Sequence, residues 1–137
     1  ITNCPRDIVA VTFGDVVDCE PPKRFGILSG DDLMVRIAQE SQSITHCIFL
    51  LGDAEGLLSA PPSDSSAELI PIWKPKHEIS GEHDSTVDVT GGIFLKLESA
   101  AMIAQNVEHV WLLDGRETGR VMQLLTEGTT RGTRIML

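Results

Sequence analysis

The sequence predicts an α/β fold, a three-layer αβα sandwich in which helices cover both faces of a largely parallel central sheet. Two continuous apolar runs, residues 47–51 and 109–113, have the length and composition of strands that are buried on both faces. Segments with the periodicity of amphipathic helices lie before, between and after these runs. Strands that alternate with helices are typical of a parallel sheet, and no internal repeat indicates another architecture.

Length and composition exclude several classes of protein. The chain has 137 residues, enough for one domain with a substantial core, and 42% of them are hydrophobic. Its net charge of −9 and its 11 scattered Lys and Arg residues argue against a nucleic-acid-binding surface, which needs clustered cations. A nucleotide is compatible with this charge, because backbone N–H groups and a metal ion can bind phosphates on an acidic protein.

The distribution of apolar and metal-binding residues sets further limits. No apolar run approaches the ~18 residues of a membrane span, and none has the flanks of a signal peptide, so we expect a cytoplasmic protein without a membrane partner. The cysteines Cys4, Cys19 and Cys47 form no Cys-x-x-Cys pair, which favours reduced thiols. The histidines show no metal-ligand spacing either. We therefore predict no metal site built from protein side chains.

The first third of the chain predicts a strand pair followed by a capped helix. The β-branched run at residues 8–13 predicts one arm of the pair, with both of its faces largely buried. Ser29 can cap the helix, with Asp32 at the capping-box position three residues later. Asp31 and Asp32 therefore have a purely structural interpretation, since carboxylates in the first turn stabilise a helix by roughly 0.3–1 kcal/mol.

The middle of the chain predicts a loop at a sheet edge. The strand at residues 47–51 ends in a Gly- and Asp-rich loop at 52–56, and the carboxyl ends of strands are where open α/β sheets bind ligands. An ordinary turn is the alternative interpretation of this loop. Residues 68–73 predict a short strand, which Pro71 places at an edge of the sheet. Residues 74–87 form a polar excursion.

Residues 88–98 have the build of an anion site. Gly91 and Gly92 lead from a polar turn into an amphipathic helix, and Lys96 follows about one turn after its start. Helical side chains lean toward the N-terminus, so the Lys96 ammonium can reach a phosphate that is bound by the free N–H groups there. The alternative is a loop that only starts a helix, with Lys96 in solvent.

The last third of the chain predicts three short elements. Residues 109–113 form the second buried strand, residues 117–125 a short helix, and residues 133–137 a final strand behind Gly132. These elements continue the alternation of strands and helices.

Several different short motifs follow one another over nearly the whole chain. The central one is Asp-Val-Thr-Gly-Gly at residues 88–92, followed by Lys96 and Glu98. The others are Gly-Asp-Val-Val at 14–17, Ile-Leu-Ser-Gly-Asp-Asp-Leu at 27–33, the loop at 52–58 with Pro61-Pro62, the strand and turn at 110–115, and Gly-Thr-x-Ile at 132–135. This ordered set resembles the carboxyl-terminal, nucleotide-binding half of the amino acid kinase superfamily, and most closely its isopentenyl phosphate kinase subfamily.

The resemblance implies two catalytic residues. Asp31 is expected to orient the catalytic lysines, and Lys96 is expected to stabilise charge on the transferred γ-phosphoryl group. Phosphoryl transfer depends mainly on positioning and on cations and N–H donors near the oxygens that become charged, so these residue types fit the reaction.

The resemblance also implies a nucleotide site, with ATP and Mg²⁺ as cofactors. The loop after the first buried strand would line the nucleotide, and the two-glycine turn would face the phosphates. The expected cofactor-binding residues are Gly52, Asp53, Gly56, Thr90, Gly91 and Gly92. The sequence departs from the motifs at several positions, among them Gly52, Glu55, Leu58 and Asp114, which replace Thr, Asp, Tyr and Asn, and Ile93, which replaces Met.

On this resemblance, residues 1–137 are the ATP-binding half of a kinase whose amino-terminal, acceptor-binding half is absent, and we expect this half alone to be inactive. The intact protein is expected to phosphorylate a small phosphate monoester such as isopentenyl phosphate. A sister kinase of the fosfomycin or glutamate type is one alternative. A non-catalytic nucleotide-sensing or scaffold domain is another, and the sequence leaves open whether the protein forms a homodimer.

Overall fold

The computed structural model of the chain describes residues 7–75 and 91–137. These residues form six strands and three helices. In chain order they are β1 (Asp15–Asp18), β2 (Phe25–Leu28), α1 (Gly30–Glu40), β3 (His46–Leu51), β4 (Ile72–Trp73), α2 (Gly91–Ala104), β5 (His109–Asp114), α3 (Arg120–Glu127) and β6 (Thr133–Ile135).

The central sheet has four strands in the order β3-β5-β6-β4. β3 runs parallel to β5, and β4 runs parallel to β6, whereas β5 and β6 are antiparallel. Two of these three pairings are parallel, which confirms the predicted largely parallel sheet.

Helices cover both faces of this sheet, as the alternation along β5 shows. Val110 and Leu112 are fully buried in a core that they share with residues of α1 and α2. Trp111 and Leu113 point to the opposite face, where they pack with Leu124 of α3. Successive side chains of a strand alternate between faces, so the apolar run of β5 supplies both cores. The predicted three-layer αβα arrangement is confirmed.

The helix α1 begins where the sequence predicts it, at a capping box around Ser29. The Ser29 hydroxyl accepts a hydrogen bond from the Asp32 N–H at 3.1 Å, and the Ser29 N–H donates to the Asp32 carboxylate at 3.1 Å. These bonds satisfy N–H groups at the helix start that have no partner within the helix. Because α1 packs against α2, its first turn lies beside the second turn of α2.

The prediction of a buried strand at residues 8–13 is wrong in the described structure. These residues form no strand, and Val9, Val11 and Phe13 are 86%, 87% and 75% exposed. The hairpin lies further along the chain, where β1 and β2 pair antiparallel. β-branched residues favour an extended backbone, but a strand also needs a hydrogen-bonded neighbour. The strand pairings of the described residues do not include residues 9–13.

The other predicted elements are present with shifted ends. The strand predicted at residues 68–73 shortens to β4, which lies at the sheet edge as Pro71 predicts. The helix predicted at 117–125 is α3, and the last predicted strand is β6. Residues 76–87 of the polar excursion lie outside the described residues. Within residues 7–75 and 91–137, no helix is both long and apolar enough to cross a membrane.

Candidate functional site

A cleft of about 770 Å³ lies between the first turn of α1, most of the length of α2 and the end of β3. Four of the predicted site residues line it, namely Asp31, Asp53, Gly92 and Lys96. They come from three separate segments of the chain. The fold brings these segments together at the carboxyl end of β3, where open α/β sheets bind their ligands.

Asp31 and Lys96 form an ion pair in the wall of this cleft. The Lys96 ammonium donates hydrogen bonds to both carboxylate oxygens, at 3.1 Å to Oδ1 and 2.9 Å to Oδ2. The side chain of Lys96 is 35% exposed and that of Asp31 is 27% exposed, so the pair is half-buried but open to the cleft. The interpretation in which Lys96 is solvated and Asp31 acts only on the helix dipole does not account for this contact.

Two buried residues of β3 lie next to the ion pair. The Phe49 ring centroid is 5.9 Å from the Lys96 ammonium, within the range of a cation–π contact. Burial, and then the nearby charge of Asp31, raise the pKa of the Cys47 thiol to about 11. Cys47 is therefore a neutral thiol at neutral pH and adds no charge to the site.

A smaller pocket of about 60 Å³ lies beside the cleft. The two cavities share Leu51, Asp53 and Ile93 in their walls. Gly56, one of the residues predicted to bind the nucleotide, lines the smaller pocket. The remaining walls are apolar and consist of Ala54, Leu57, Leu58, Ala60, Pro61 and Pro62.

The other predicted nucleotide-binding residues differ in position. Gly52 is exposed directly after β3 and is not among the described residues that line either cavity. Gly91 and Gly92 are the first two residues of α2. A Cβ added at Gly92 would meet no atom of the described residues within 4 Å, and a glycine lets another group approach the backbone closely. Thr90 lies outside the described residues.

Two arginine–carboxylate pairs fix the loops beside the smaller pocket. Arg116 donates to both oxygens of Asp114, at 2.8 and 2.7 Å, and these bonds lower the pKa of Asp114 to about 2. Arg131 donates to both oxygens of Glu55, at 2.5 and 2.7 Å, and holds the pKa of Glu55 below its ordinary value. Both carboxylates are ionised and paired at neutral pH. They can therefore hold loop geometry but are poor general bases.

Sequence reasoning missed two contributors to the site. The apolar run at 47–51 predicts only that Phe49 is buried, and the helical pattern that follows Gly92 predicts only that Ile93 lies on a buried face. In the structure Phe49 faces the ammonium of Lys96, and Ile93 lines both cavities. Alternation along β3 places Cys47, Phe49 and Leu51 on one face, but only knowledge of the helix above that face could indicate Phe49.

Comparison with solved structures identifies the architecture around these cavities. A crystal structure of isopentenyl phosphate kinase in a substrate complex matches this chain with a TM-score of 0.67 and 25% identity, over 90% of this chain and 45% of that one. The chain has the fold of one part of isopentenyl phosphate kinase. Further X-ray structures of isopentenyl phosphate kinase match with a TM-score of 0.63 and 22% identity, over 90% of this chain and 44% of theirs.

The match to isopentenyl phosphate kinase confirms, at the level of the fold, the resemblance that the ordered motifs predict. This chain spans a little under half the length of the kinases that it matches. No protein-family model matches the sequence, and no curated protein matches it. The likeness is therefore carried by the fold together with the motifs.

Proposed function

We propose that this chain provides the ATP-binding half of a kinase that transfers the γ-phosphoryl group of ATP to a small phosphate monoester. The observation that carries the proposal is the ion pair of Asp31 and Lys96. These residues are 65 positions apart in the sequence and meet in the wall of the large cleft. They are also the two residues to which the kinase resemblance assigns catalytic roles.

Lys96 would supply positive charge where the transfer needs it. The acceptor oxygen forms a bond to the γ-phosphorus while the bond from that phosphorus to the ADP oxygen breaks. Negative charge on the transferred group is stabilised by cations that are already in place. Asp31 would hold the Lys96 ammonium in a fixed position through its two hydrogen bonds, so that little reorganisation is needed during the reaction.

ATP would extend across both cavities. The apolar walls of the smaller pocket would contact one part of the nucleotide base, and the rest of the base would extend toward the cleft, while Asp53, Gly92 and Lys96 face the larger cleft, where the phosphates would lie. Mg²⁺ would neutralise phosphate charge, and proteins commonly bind it through one or two carboxylates together with substrate phosphates. Among the described residues no group of three or more His, Cys, Asp or Glu could hold a metal ion alone. The exposed carboxylate of Asp53 would bind Mg²⁺ together with the phosphates of ATP.

The proposed acceptor is isopentenyl phosphate, because two sets of solved structures that match this chain are isopentenyl phosphate kinases. An ADP-release assay on the intact protein with isopentenyl phosphate, fosfomycin and glutamate tests this assignment. Turnover with isopentenyl phosphate alone would support it. Turnover with another acceptor only would move the protein to a sister kinase.

Variants of the ion pair test the catalytic assignment. We expect Asp31→Asn and Lys96→Met each to lower kcat by roughly 10²-fold or more, because each removes part of a preorganised charge arrangement. The Tm should change little, since the pair is partly exposed. The double variant should lose less than the product of the two single losses, because the residues act as one unit.

Arg36→Met is the matched control for these variants. Arg36 lies on α1 like Asp31, but it is 72% exposed and pairs only with Glu40 among the described residues. Its replacement should leave turnover unchanged. If the losses of kcat in the two single variants multiply in the double variant and the Tm also falls, Asp31 only stabilises the start of α1. If the intact protein binds Mg-ATP but Lys96→Met does not change its turnover, the domain is a nucleotide sensor or scaffold.

A further inference from the structure

One hydroxyl of β6 fixes the loop that forms the smaller pocket. Thr133 is fully buried, and its Oγ1 accepts a hydrogen bond from the Leu57 N–H at 2.8 Å. The same hydroxyl donates to the carbonyl oxygen of Ile70 at 2.6 Å. A threonine hydroxyl can donate one hydrogen bond and accept others, so a single group satisfies two backbone groups here.

The two backbone groups that Thr133 joins belong to the pocket loop and to the segment that returns beside it. The Ile70 N–H donates to the Leu57 carbonyl at 2.8 Å, and Leu58 and Leu69 form an antiparallel bridge next to this pair. The loop and the returning segment thus form a short ladder, and Thr133 closes its buried end.

Gly56 shows how closely the loop lies against β6. A Cβ at this position would be 2.6 Å from the Thr133 Oγ1 and 3.0 Å from the Thr133 backbone nitrogen. Only a residue without a side chain leaves room for this contact. Gly56, which lines the pocket, is therefore held directly against Thr133.

A second contact from the same short segment holds the residue before Gly56. Arg131 donates two hydrogen bonds to Glu55, so Arg131 and Thr133 hold the residues on both sides of Gly56. The Arg131 side chain is 56% exposed, and solvent weakens such a pair. The buried hydroxyl of Thr133 is the stronger constraint on the loop.

We propose that Thr133 is a positioning residue for the nucleotide. It does not line the pocket; it holds residues 53–58 in the shape that receives ATP. This inference rests on the proposed function, since it assumes that the pocket binds a nucleotide.

Two substitutions at residue 133 separate the hydroxyl from the rest of the side chain. Thr133→Val keeps the shape but leaves the Leu57 N–H and the Ile70 carbonyl without their partner, whereas Thr133→Ser keeps the hydroxyl. By calorimetric titration of the intact protein with Mg-ATP, we expect Thr133→Val to weaken binding by roughly tenfold. Thr133→Ser should bind within about twofold of the wild type. Hydrogen exchange at the Leu57 amide should be faster in Thr133→Val only.

Leu124→Val is the control for a general loss of stability. Leu124 of α3 is buried on the opposite face of the sheet, against Trp111 and Leu113, and its truncation lowers stability without touching the loop. We expect a lower Tm with an unchanged Kd for Mg-ATP. If Leu124→Val weakens ATP binding as much as Thr133→Val does, Thr133 has only a structural role and the inference is overturned.

Two further outcomes distinguish this inference from the proposed function. If the wild type binds Mg-ATP and a folded Thr133→Val binds it equally well, the inference alone fails. If the wild type does not bind Mg-ATP, the proposed function fails and the inference fails with it. Should Thr133→Val not fold, Thr133→Cys tests the same position with a thiol, which is a weaker hydrogen-bond donor and acceptor than the hydroxyl. It should weaken ATP binding by a few-fold, and an unchanged Kd in the folded Thr133→Cys protein would overturn the inference.

Discussion

Asp114 shows how a single carboxylate supports the turn at the end of β5. It closes β5, and its side chain is only 8% exposed. Both the N–H and the guanidinium of Arg116 donate to its carboxylate. The next residue, Gly115, donates its N–H to the Leu51 carbonyl at 2.8 Å, which joins this turn to the end of β3. The charge of Asp114 therefore supports the turn beside the candidate site.

The stability that Asp114 contributes should depend on pH in a defined direction. Hydrogen bonds from Arg116 lower its pKa from 3.8 to about 2. A carboxyl whose pKa is lower in the folded state stabilises the fold above its unfolded pKa, and this contribution is lost as the pH falls through the folded value. The Tm difference between wild type and Asp114→Asn should therefore be full at pH 6 and disappear near pH 2.

Thermal unfolding at several pH values measures this difference. Asp18→Asn is a suitable control, because Asp18 is an exposed carboxylate of β1 with no ion pair among the described residues. A Tm difference for Asp114→Asn that stays constant down to pH 2 would contradict the role of the charge.

At the scale of elements, the two ends of α3 make a matched test of backbone conformation. Gly128 ends the helix in the left-handed region, with φ 75° and ψ 0°, and its N–H donates to the Leu124 carbonyl at 2.9 Å. Gly119 precedes the helix with φ −83° and ψ −16°, a conformation that any residue adopts. A Cβ would meet no atom within 4 Å at either position. Any difference between them therefore comes from the backbone.

We expect Gly128→Ala to lower the free energy of unfolding by about 1 kcal/mol, because a Cβ disfavours the left-handed conformation. Gly119→Ala should change it by less than about 0.5 kcal/mol. Chemical denaturation of the two variants measures both values. Equal losses would mean that the helix end does not depend on the conformation of Gly128.

Local sequence signals predict the elements whose cause is local. The apolar runs of β3 and β5 and the capping box at Ser29 appear in the structure as predicted. The segment at residues 8–13 does not, because β-propensity cannot provide the neighbouring strand that a sheet requires. A strand that is predicted from β-propensity alone therefore fails to form where the fold provides no neighbouring strand.

The residues of the candidate site also fall into two groups, those that the sequence indicates and those that only the fold brings to the site. The resemblance to a kinase superfamily indicated Asp31 and Lys96, and the structure joins them. Nothing local could indicate Thr133, whose role depends on a hydrogen bond to a residue 76 positions away. The same is true of Phe49, which acquires its contact with Lys96 only when α2 packs over β3.

At the scale of the whole molecule, the described structure has one well-covered half and one open half. The four-stranded sheet and its helices enclose the buried residues of both cores. Residues 8–27 instead expose a large share of apolar side chains. The large apolar residues that are more than half exposed in this stretch are Ile8, Val9, Val11, Phe13, Val16, Phe25 and Ile27. Soluble monomers rarely expose apolar patches above a few hundred Å².

This exposed apolar surface should determine how the 137-residue chain behaves in solution. We expect the purified chain to bind a hydrophobic dye such as ANS and to self-associate as its concentration rises, because association removes apolar surface from water. The double substitution of Val11→Ser and Phe13→Ser should reduce both effects while leaving the Tm nearly unchanged, since these side chains are 87% and 75% exposed. The matched control is Met122→Ser with Leu125→Ser on α3, where the side chains are 65% and 55% exposed outside this stretch. Dye fluorescence and sedimentation velocity compare the two pairs, and an equal reduction by the control would show that residues 8–27 are not the associating surface.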